Sequence, residues 1–485
     1  MRKQTKLALG LAAAALLAVG ASMTSFAARG WVAEGDQWYY YDNSGDYVTD
    51  KWKSYNGNYF YLGDEGYMLT NELIEDGNNY YYVDANGAMV KNTWVAVPAD
   101  DDEDQDVEYR WYYFGANGKA YRDADKKTIN GKKYGFDDEG KMLFGFVRDR
   151  QTINDEDDAI LNCDRYYGTN DDGAMYTGWL LYQDALDASG YDDEFYWFWF
   201  NSKGIKFTDG KKKINGKHYA FDGFGAMLYE WVDTVTISQT TLGWFNAAED
   251  GHLAKSTWIW ASEEDVVNNG DDDNRWWYAD KHGDLITDQT KKINSKWYVF
   301  DDYGRMKWGL VWTNHDTVKD TSKFGGALVA ADPADVSAQE IYDGQLKDGT
   351  TLPDYMYLFS LDEEKDGSMK NGQSIKVELY DDDYTLGFDK NRGTALDGVV
   401  KNKLYCRGIL QTAGDNRYDC IQIGSAKFLV SSNGTVMKAG SRTYKDADDM
   451  YWGVKSANDP KDPNAGYDVV GPFNEASEAK DALKN

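Results

Sequence analysis

Tryptophan and tyrosine rings are the side chains of this sequence with the most evident binding chemistry, and they recur in a pattern. In the stretch Gly30 to Val48, Trp31 is followed by the run Trp38-Tyr39-Tyr40-Tyr41, and divergent repeats of this stretch follow downstream. A box of such rings can hold a quaternary ammonium ion, each ring contributing roughly 0.5 to 2 kcal/mol. The same rings can instead stack on pyranose faces while neighbouring Asp and Asn side chains bind the hydroxyls. Composition alone does not separate these two ligands.

The element that must position these rings is a β-hairpin. Large rings alternate at period two in Trp38 to Tyr41, and Asp42-Asn43-Ser44-Gly45 is a turn sequence that reverses the chain. One hairpin is marginally stable in water, so the copies must stack. We therefore expect an all-β solenoid of stacked β-hairpins. In such a single-layer stack the rings also form the packing between hairpins, which is the alternative to a ligand-binding role for each of them.

A second regularity follows each aromatic run, where a turn glycine is followed two residues later by methionine. The spacing between turn glycines is about 21 residues, or about 31 where a loop is inserted. The copies with both residues are Gly66-Tyr-Met68, Gly87-Ala-Met89, Gly140-Lys-Met142, Gly173-Ala-Met175, Gly225-Ala-Met227 and Gly304-Arg-Met306.

Three acidic insertions share one place in the repeat, at residues 98–108, 184–194 and 263–274. We expect solvated loops there. Calcium binding is the alternative, although none of the three has the Asp-x-Asp-x-Asp-Gly spacing of a calcium loop.

A longer period of about 80 to 85 residues overlies the short one. It relates the Lys-Ile-Asn-Gly segments around Ile129, Ile214 and Ile293, and the next step reaches Ile375. We therefore expect repeats of the strongest type at residues 28–312, divergent repeats at 313–440, and a C-terminal cap and frayed tail at 441–485. One short helix is expected within Asp332 to Gln345.

The N-terminal residues 1–27 have the pattern of a secretory signal peptide. Arg2, Lys3 and Lys6 precede an apolar run that is short for a membrane-spanning helix, and Ser25-Phe26-Ala27 has the small residues of a cleavage site. We expect a secreted protein with no membrane insertion after cleavage. The net charge of −30 disfavours nucleic acid and anionic lipid as partners.

The residues expected of an enzyme or a metal site are not arranged in known spacings. The four histidines are isolated, no His-Glu-x-x-His motif is present, and the dense carboxylates show no defined pair. We predict no catalysis, no metal site and no cofactor. Cys406 and Cys420 flank a turn-like segment and are candidates for a disulfide, with buried free thiols as the alternative.

These segments resemble the choline-binding or cell-wall-binding repeat family. Its unit reads Gly-Trp, a short turn, Trp-Tyr-Tyr, Asp-x-x-Gly-x-Met and Thr-Gly-Trp, and Gly173-Ala-Met-Tyr-Thr-Gly-Trp179 matches its end. The resemblance covers about Gly30 to Gly440. The Lys-Ile-Asn-Gly-Lys form is similar to the glucan-binding and clostridial-toxin branch. The resemblance implies stacked hairpins that bind choline of wall teichoic acids, or glucans and host glycans, at aromatic cages between hairpins.

The resemblance also implies two sets of cage residues, which are the tryptophan of Gly-Trp and the first ring of Trp-Tyr-Tyr, and it implies that an aromatic ring or methionine of the next hairpin completes each cage. Leu73, Ile129, Ile214 and Ile293 stand at the first position of other repeats, and these are expected not to close a choline box. The first set is Trp31, Trp52, Trp94, Trp179, Trp231, Trp258 and Trp312. The second set is Trp38, Tyr59, Tyr80, Trp111, Trp197, Trp244, Trp276 and Trp297.

The leading functional hypothesis is a secreted, non-catalytic protein of the bacterial cell wall or cell surface. Its partner would be teichoic-acid choline or a surface polysaccharide, and several cages on one rod would add avidity. The alternatives are an adhesin or lectin that binds host or exogenous glycans, and a wall hydrolase with unrecognised chemistry. The exposed end strands of a solenoid also allow end-to-end self-association.

Overall fold

The computed structural model describes residues 29–99, 107–153, 159–183, 186, 195–236, 239–246, 250–262, 273–361 and 366–484. The predicted signal peptide and most of the three acidic insertions lie outside these residues. The chain divides into two compact units, residues 1–212 with 220–228 and residues 213–219 with 229–485. The domain borders predicted near residues 312 and 440 do not coincide with this division and stay predictions.

The described residues are mostly short strands. The strands are β1 (Gly30–Glu34), β2 (Gln37–Tyr41), β3 (Lys51–Tyr55), β4 (Asn58–Leu62), β5 (Glu72–Asp76), β6 (Asn79–Val83), β7 (Thr93–Pro98), β8 (Tyr109–Phe114), β9 (Ala124–Ile129), β10 (Lys132–Phe136), β11 (Gly145–Arg148), β12 (Gln151–Thr152), β13 (Arg165–Tyr167), β14 (Gly178–Tyr182), β15 (Tyr196–Phe200), β16 (Gly210–Ile214), β17 (Lys217–Phe221), β18 (Met227–Leu228), β19 (Glu230–Thr236) and β20 (Gln239–Phe245).

The second half of the chain continues with β21 (Thr257–Ser262), β22 (Asn274–Ala279), β23 (Gln289–Ile293), β24 (Lys296–Phe300), β25 (Met306–Lys307), β26 (Gly309–Thr313), β27 (Leu328–Ala331), β28 (Tyr355–Phe359), β29 (Met369–Lys370), β30 (Gly372–Leu379), β31 (Asp382–Phe388), β32 (Gly398–Val400), β33 (Lys403–Cys406), β34 (Ile409–Leu410), β35 (Tyr418–Ile423), β36 (Ala426–Ser431), β37 (Thr443–Lys445), β38 (Tyr451–Ala457) and β39 (Tyr467–Phe473). The helices of the described residues are α1 (Ala159–Asn162), α2 (Ala338–Asp343) and α3 (Ala476–Lys484). Single 3₁₀ turns lie at Pro333–Asp335, Gly414–Asn416 and Pro463–Ala465.

The repeating unit is an antiparallel hairpin, but its connecting turn is not the predicted one. β1 pairs with β2 through the two-residue turn Gly35-Asp36, and Trp31 lies directly opposite Tyr40. The turn Asp42 to Gly45 comes after the hairpin and is closed by a single bridge between Tyr41 and Tyr47. The Asp42 carboxylate does accept the amide of Ser44 at 2.8 Å, as expected for a turn of this composition.

A residue with positive φ stands at the start of most hairpins. Gly30 and Gly178, the first residues of their strands, have φ 87° and 101°, whereas Asp50 and Asn71, each one residue before its strand, have φ 50° and 51°. Asp and Asn tolerate the left-handed region better than other residues with a Cβ. The left-handed residue thus directly precedes the tryptophan in Gly30-Trp31 and stands two residues before it in Asp50-Lys51-Trp52.

The glycine-methionine rule describes how one hairpin stacks on the next. The Met68 amide donates to the Trp38 carbonyl at 2.7 Å and the Met89 amide to the Tyr59 carbonyl at 2.8 Å, in each case reaching back to the preceding hairpin. The Met89 side chain then lies beneath the next turn, where a Cβ on Gly118 would come 2.5 Å from its Sδ. Gly118 therefore provides both a positive φ and the space for the preceding methionine, as do Gly87, Gly173 and Gly204.

This arrangement confirms the predicted all-β fold of stacked hairpins. Beyond Thr313 the sheets become larger, with the strand orders β27-β26-β28-β29 and β30-β31-β34-β33-β32. The stacking rule persists there, because a Cβ on Gly393 would come 2.4 Å from the Met369 Sδ.

Three local expectations have clear outcomes. The predicted short helix is confirmed as α2, which begins with a capping box formed by Ser337 and Glu340. The frayed tail expected within residues 441–485 is not found, because β37, β38 and β39 form a sheet and Ala479 of α3 is fully buried. Cys406 and Cys420 are free thiols, so the candidate disulfide is not formed.

Candidate functional site: aromatic seams between hairpins

The first-strand tryptophans lie where one hairpin meets the next, and we call each such junction a seam. Trp31 contacts Tyr40 of its own hairpin at 5.5 Å between ring centroids and Phe60 of the next hairpin at 5.4 Å. Trp52 contacts Tyr61 at 5.0 Å and Tyr81 at 5.1 Å in the same way. The strand register places the tryptophan opposite the third ring of the aromatic run, so that ring is its contact within the hairpin.

The seam of Trp94 contains the fullest set of rings in the first unit. Trp94 makes edge contacts with Tyr113 at 5.2 Å and with Tyr134 of the next hairpin at 4.8 Å. Trp111 lies in the same cluster, which is backed by the buried Met142. Two tryptophans, two tyrosines and a methionine therefore surround this seam.

The seam of Trp258 repeats this set in the second unit. Trp258 contacts Trp276 at 6.2 Å, Tyr278 at 5.2 Å and Tyr298 of the next hairpin at 4.8 Å. Met306 backs the cluster as Met142 does in the first unit. The rings are only partly buried, so they pack on one side and leave part of their faces to solvent.

Two further predicted pairs also meet. Trp179 and Trp197 are in edge contact at 6.2 Å, with an interplanar angle of 89°. Trp231 contacts Trp244 at 4.9 Å, but the register shows that Trp244 corresponds to Tyr40 and not to the first ring of the run. The placement of Trp244 in the second set is therefore corrected.

The remaining predicted cage residues differ in exposure. Tyr59 is 43% exposed, whereas Trp38, Tyr80 and Trp297 are half-buried. Trp312 is only 3% exposed and lies in a core cluster with Leu310 and Leu358. Trp312 is therefore a packing residue, and its assignment to a cage is wrong.

The isoleucines assigned to the first position of the motif are also in a different place. Ile293 pairs with Lys296 beside the hairpin turn, whereas Thr290 stands opposite Val299 at the position that tryptophan holds elsewhere. The Thr290 hydroxyl donates to the Val318 carbonyl at 2.9 Å. In the β23–β24 hairpin, the residue at the position of the tryptophan is therefore Thr290 and not Ile293.

Sequence reasoning missed the third ring of the aromatic run and did not identify which ring of the next hairpin completes the site. Tyr113 and Tyr134 fill these roles around Trp94, and Tyr278 and Tyr298 fill them around Trp258. Period-two alternation was a usable signal for the third ring, because it faces the same side as the first ring.

The phenols that the next hairpin contributes, Tyr134 and Tyr298, are neutral at physiological pH. Burial desolvates the phenols of Tyr134 and Tyr298 and thereby raises the pKa of each above its usual value. Uncharged phenols and indoles present electron-rich faces to a cation. Among the described residues no group of three or more His, Cys, Asp or Glu could hold a metal ion. Within the same residues, no helix is long and apolar enough to span a bilayer.

A family profile described as a choline-binding repeat matches residues 48–94 of this chain. No curated protein sequence matches the chain significantly.

Similar solved structures come from Streptococcus pneumoniae. The modular autolysin LytC in complex with a synthetic peptidoglycan ligand is 18% identical, with a TM-score of 0.33, covering 57% of this chain and 52% of LytC. The chain thus spans about half the length of that protein. CbpJ is 17% identical, with a TM-score of 0.35, covering 71% of this chain and 99% of CbpJ. CbpF in complex with ipratropium is 16% identical, with a TM-score of 0.29, covering 77% of this chain and 100% of CbpF.

Proposed function

We propose that this protein is a secreted, non-catalytic cell-wall-binding protein that attaches to choline groups of the bacterial surface through its aromatic seams. The observation that carries the proposal is the repetition of one ring set in both units, around Trp94 and around Trp258. The choline-binding repeat at residues 48–94 supports the choice of ligand.

The expected strength of one seam is modest. Four rings that contribute about 1 kcal/mol each sum to about 4 kcal/mol, which corresponds to a Kd of about 1 mM. A ligand repeated along a wall polymer can engage two seams at once, and linked binding gains factors of about 10² to 10⁴. Repetition of the cage therefore compensates for the weakness of each one. The negative net charge favours the same cationic ligand at long range.

A second candidate function, glycan binding, is supported by one exposed ring pair. Trp260 is 44% exposed and lies over Trp276 at 4.9 Å with an interplanar angle of 44°. A tilted pair of indoles at the surface offers a platform on which pyranose rings can stack. This platform shares Trp276 with the choline seam, so the two ligands would compete there.

The test is retention of the full chain on purified cell wall that carries choline, measured with and without millimolar choline as competitor. We expect choline to release the protein. Replacing Trp111 and Trp276 together with alanine should weaken retention, whereas replacing Trp260 alone should not. Retention that ignores choline but yields to soluble glucan would overturn the proposal in favour of the glycan candidate. Solubilisation of wall material over time would instead indicate a hydrolase.

A further inference from the structure

Basic side chains of the protein itself lie over two of the predicted cage rings. The Lys91 Nζ is 4.9 Å from the ring centroid of Tyr59, and the guanidinium carbon of Arg122 is 5.7 Å from that of Tyr80. Both rings hold the second-set position of their hairpin. Both cations stand four residues after the turn glycine of the following hairpin, so the two contacts are copies of one arrangement.

The backbone explains why this position reaches that ring. The amide two residues after the turn glycine is bonded to the carbonyl of the ring residue, as in Met89 to Tyr59 at 2.8 Å and Ala120 to Tyr80 at 2.8 Å. A side chain two residues further on is therefore held close to the ring. The second unit repeats the geometry, since the Lys255 Nζ lies 3.2 Å from the Nδ1 of His218 at the corresponding position.

Arg122 is held in place by a hydrogen bond, and the first seam has a counterpart of these cations. The Arg122 Nη1 donates to the Asn78 carbonyl at 2.7 Å, which holds the guanidinium above the Tyr80 face. In the seam of Trp31, the Lys53 Nζ lies 4.5 Å from the Tyr40 ring centroid. Each of the first three seams of the first unit thus contains a cation supplied by the chain.

The seams with the fullest ring sets have a different residue at the controlling position. Four residues after the turn glycine stand Phe144 next to the Trp94 seam and Trp308 next to the Trp258 seam. Two cations lie near the Trp94 seam, but over other rings: Lys127 is 5.1 Å from the ring centroid of Tyr121, and the guanidinium carbon of Arg110 is 5.2 Å from that of Phe144. In the part of the chain that the structure describes, no basic side chain is recorded over Trp94, Trp111, Trp258 or Trp276.

We propose that Lys91 is an internal ligand that occupies the seam of Tyr59 in place of choline, and that Arg122 makes the same contact with Tyr80 in the seam whose first position is Leu73. The residue four positions after the turn glycine then determines whether the second-set ring of that seam is covered by a cation of the chain. An ammonium or guanidinium group makes the same contact with a ring face as a quaternary ammonium does. Because it is tethered, its effective concentration exceeds that of free choline. This inference rests on the proposed function, since it assumes that open seams bind choline.

The test is the number of choline molecules bound per chain, measured by equilibrium dialysis of the full-length protein. Lys91→Thr removes the cation and installs the residue that Thr70 provides at the same position of the preceding repeat. We expect Lys91→Thr to bind one more choline than the wild type, and Lys91→Arg to bind the wild-type number. Lys376→Thr, an exposed lysine on β30, is the matched control and should change nothing.

A folded Lys91→Thr that binds the wild-type number of choline molecules would refute the internal-ligand inference. The proposed function would survive that result, because it depends on choline binding by the wild type alone. Wild-type protein that binds no choline would overturn both. If Lys91→Thr fails to fold, Lys91→Gln makes the same test with a neutral side chain of similar length, with the same gain expected and the same absence of gain refuting the inference.

Discussion

Replacing the two tryptophans of one seam separates packing from binding. Trp94 makes ring contacts with Tyr113, Tyr134 and Phe136 at 5.2, 4.8 and 5.8 Å. At about 0.5 to 1.5 kcal/mol for each aromatic pair, Trp94→Ala should lower the free energy of unfolding by about 3 kcal/mol. Trp111 joins the same cluster as a partly buried ring, so Trp111→Ala should cost only about 1 kcal/mol of stability.

The effect on choline binding should not follow the same order. Trp111 provides one face of the seam, and losing about 1 kcal/mol of cation–π energy weakens choline binding there about fivefold. Urea unfolding measures the first quantity and equilibrium dialysis with choline measures the second. Tyr55→Ala is the control, because Tyr55 is 48% exposed beside a hairpin turn and should change neither.

The reasoning would be refuted if Trp111→Ala bound choline at that seam within twofold of the wild type. It would also fail if Trp111→Ala destabilised the protein as much as Trp94→Ala. The first result would make Trp111 a packing residue, and the second would show that the seam has no face reserved for a ligand.

Two further predictions concern stability. Gly118→Ala should lower the free energy of unfolding by about 2 kcal/mol, because φ is 77° and the new Cβ would meet the Met89 Sδ at 2.5 Å. The control is Gly77→Ala, where φ is 61° and the space around the new Cβ is open, so the loss should be about 1 kcal/mol. Urea unfolding measures both losses, and equal values would contradict the stacking role of Gly118. Burial raises the pKa of Asp366, but hydrogen bonds, including that from Lys296, outweigh it and hold the pKa at about 2. The pKa of Asp366 is lower in the folded than in the unfolded protein, so this stabilisation is present at neutral pH and is lost as pH falls from about 4 to about 2. Asp366→Asn should therefore remove about 1 kcal/mol of the pH dependence of stability in this range. Acid unfolding measures it, and an unchanged dependence on pH would refute the assignment.

Local sequence signals predicted the repeat and the turns well, because the physical causes of both lie within a few residues. The Asp42 carboxylate caps its turn as expected. The glycine-methionine pair indicates where the chain bonds to the preceding hairpin, as the amides of Met68 and Met89 do. The order of the two turns was wrong, since Gly35-Asp36 closes the hairpin. Both turns have suitable residues, and only the pairing of strands distinguishes them.

The candidate site was predictable in its residue types and less so in its geometry. The sequence identified Trp94 and Trp258 as cage residues, but their closest rings from the next hairpin, Tyr134 and Tyr298, were missed. Trp312 stands three residues after Gly309 and not directly after it, and it is sealed in a core by residues such as Val336 and Ile341. The assignment of Trp312 to the motif therefore did not predict whether its ring faces solvent.

The sequence by itself determined the β-hairpin unit, its spacing and the supply of rings, since alternation, turn residues and the glycine-methionine pair act over short distances along the chain. Only the tertiary structure decided which rings share a seam, and that Lys91 rather than solvent lies over Tyr59. Those contacts join different hairpins, so they depend on strand register and on the offset between neighbours. A shift of one residue in register turns a side chain to the opposite face.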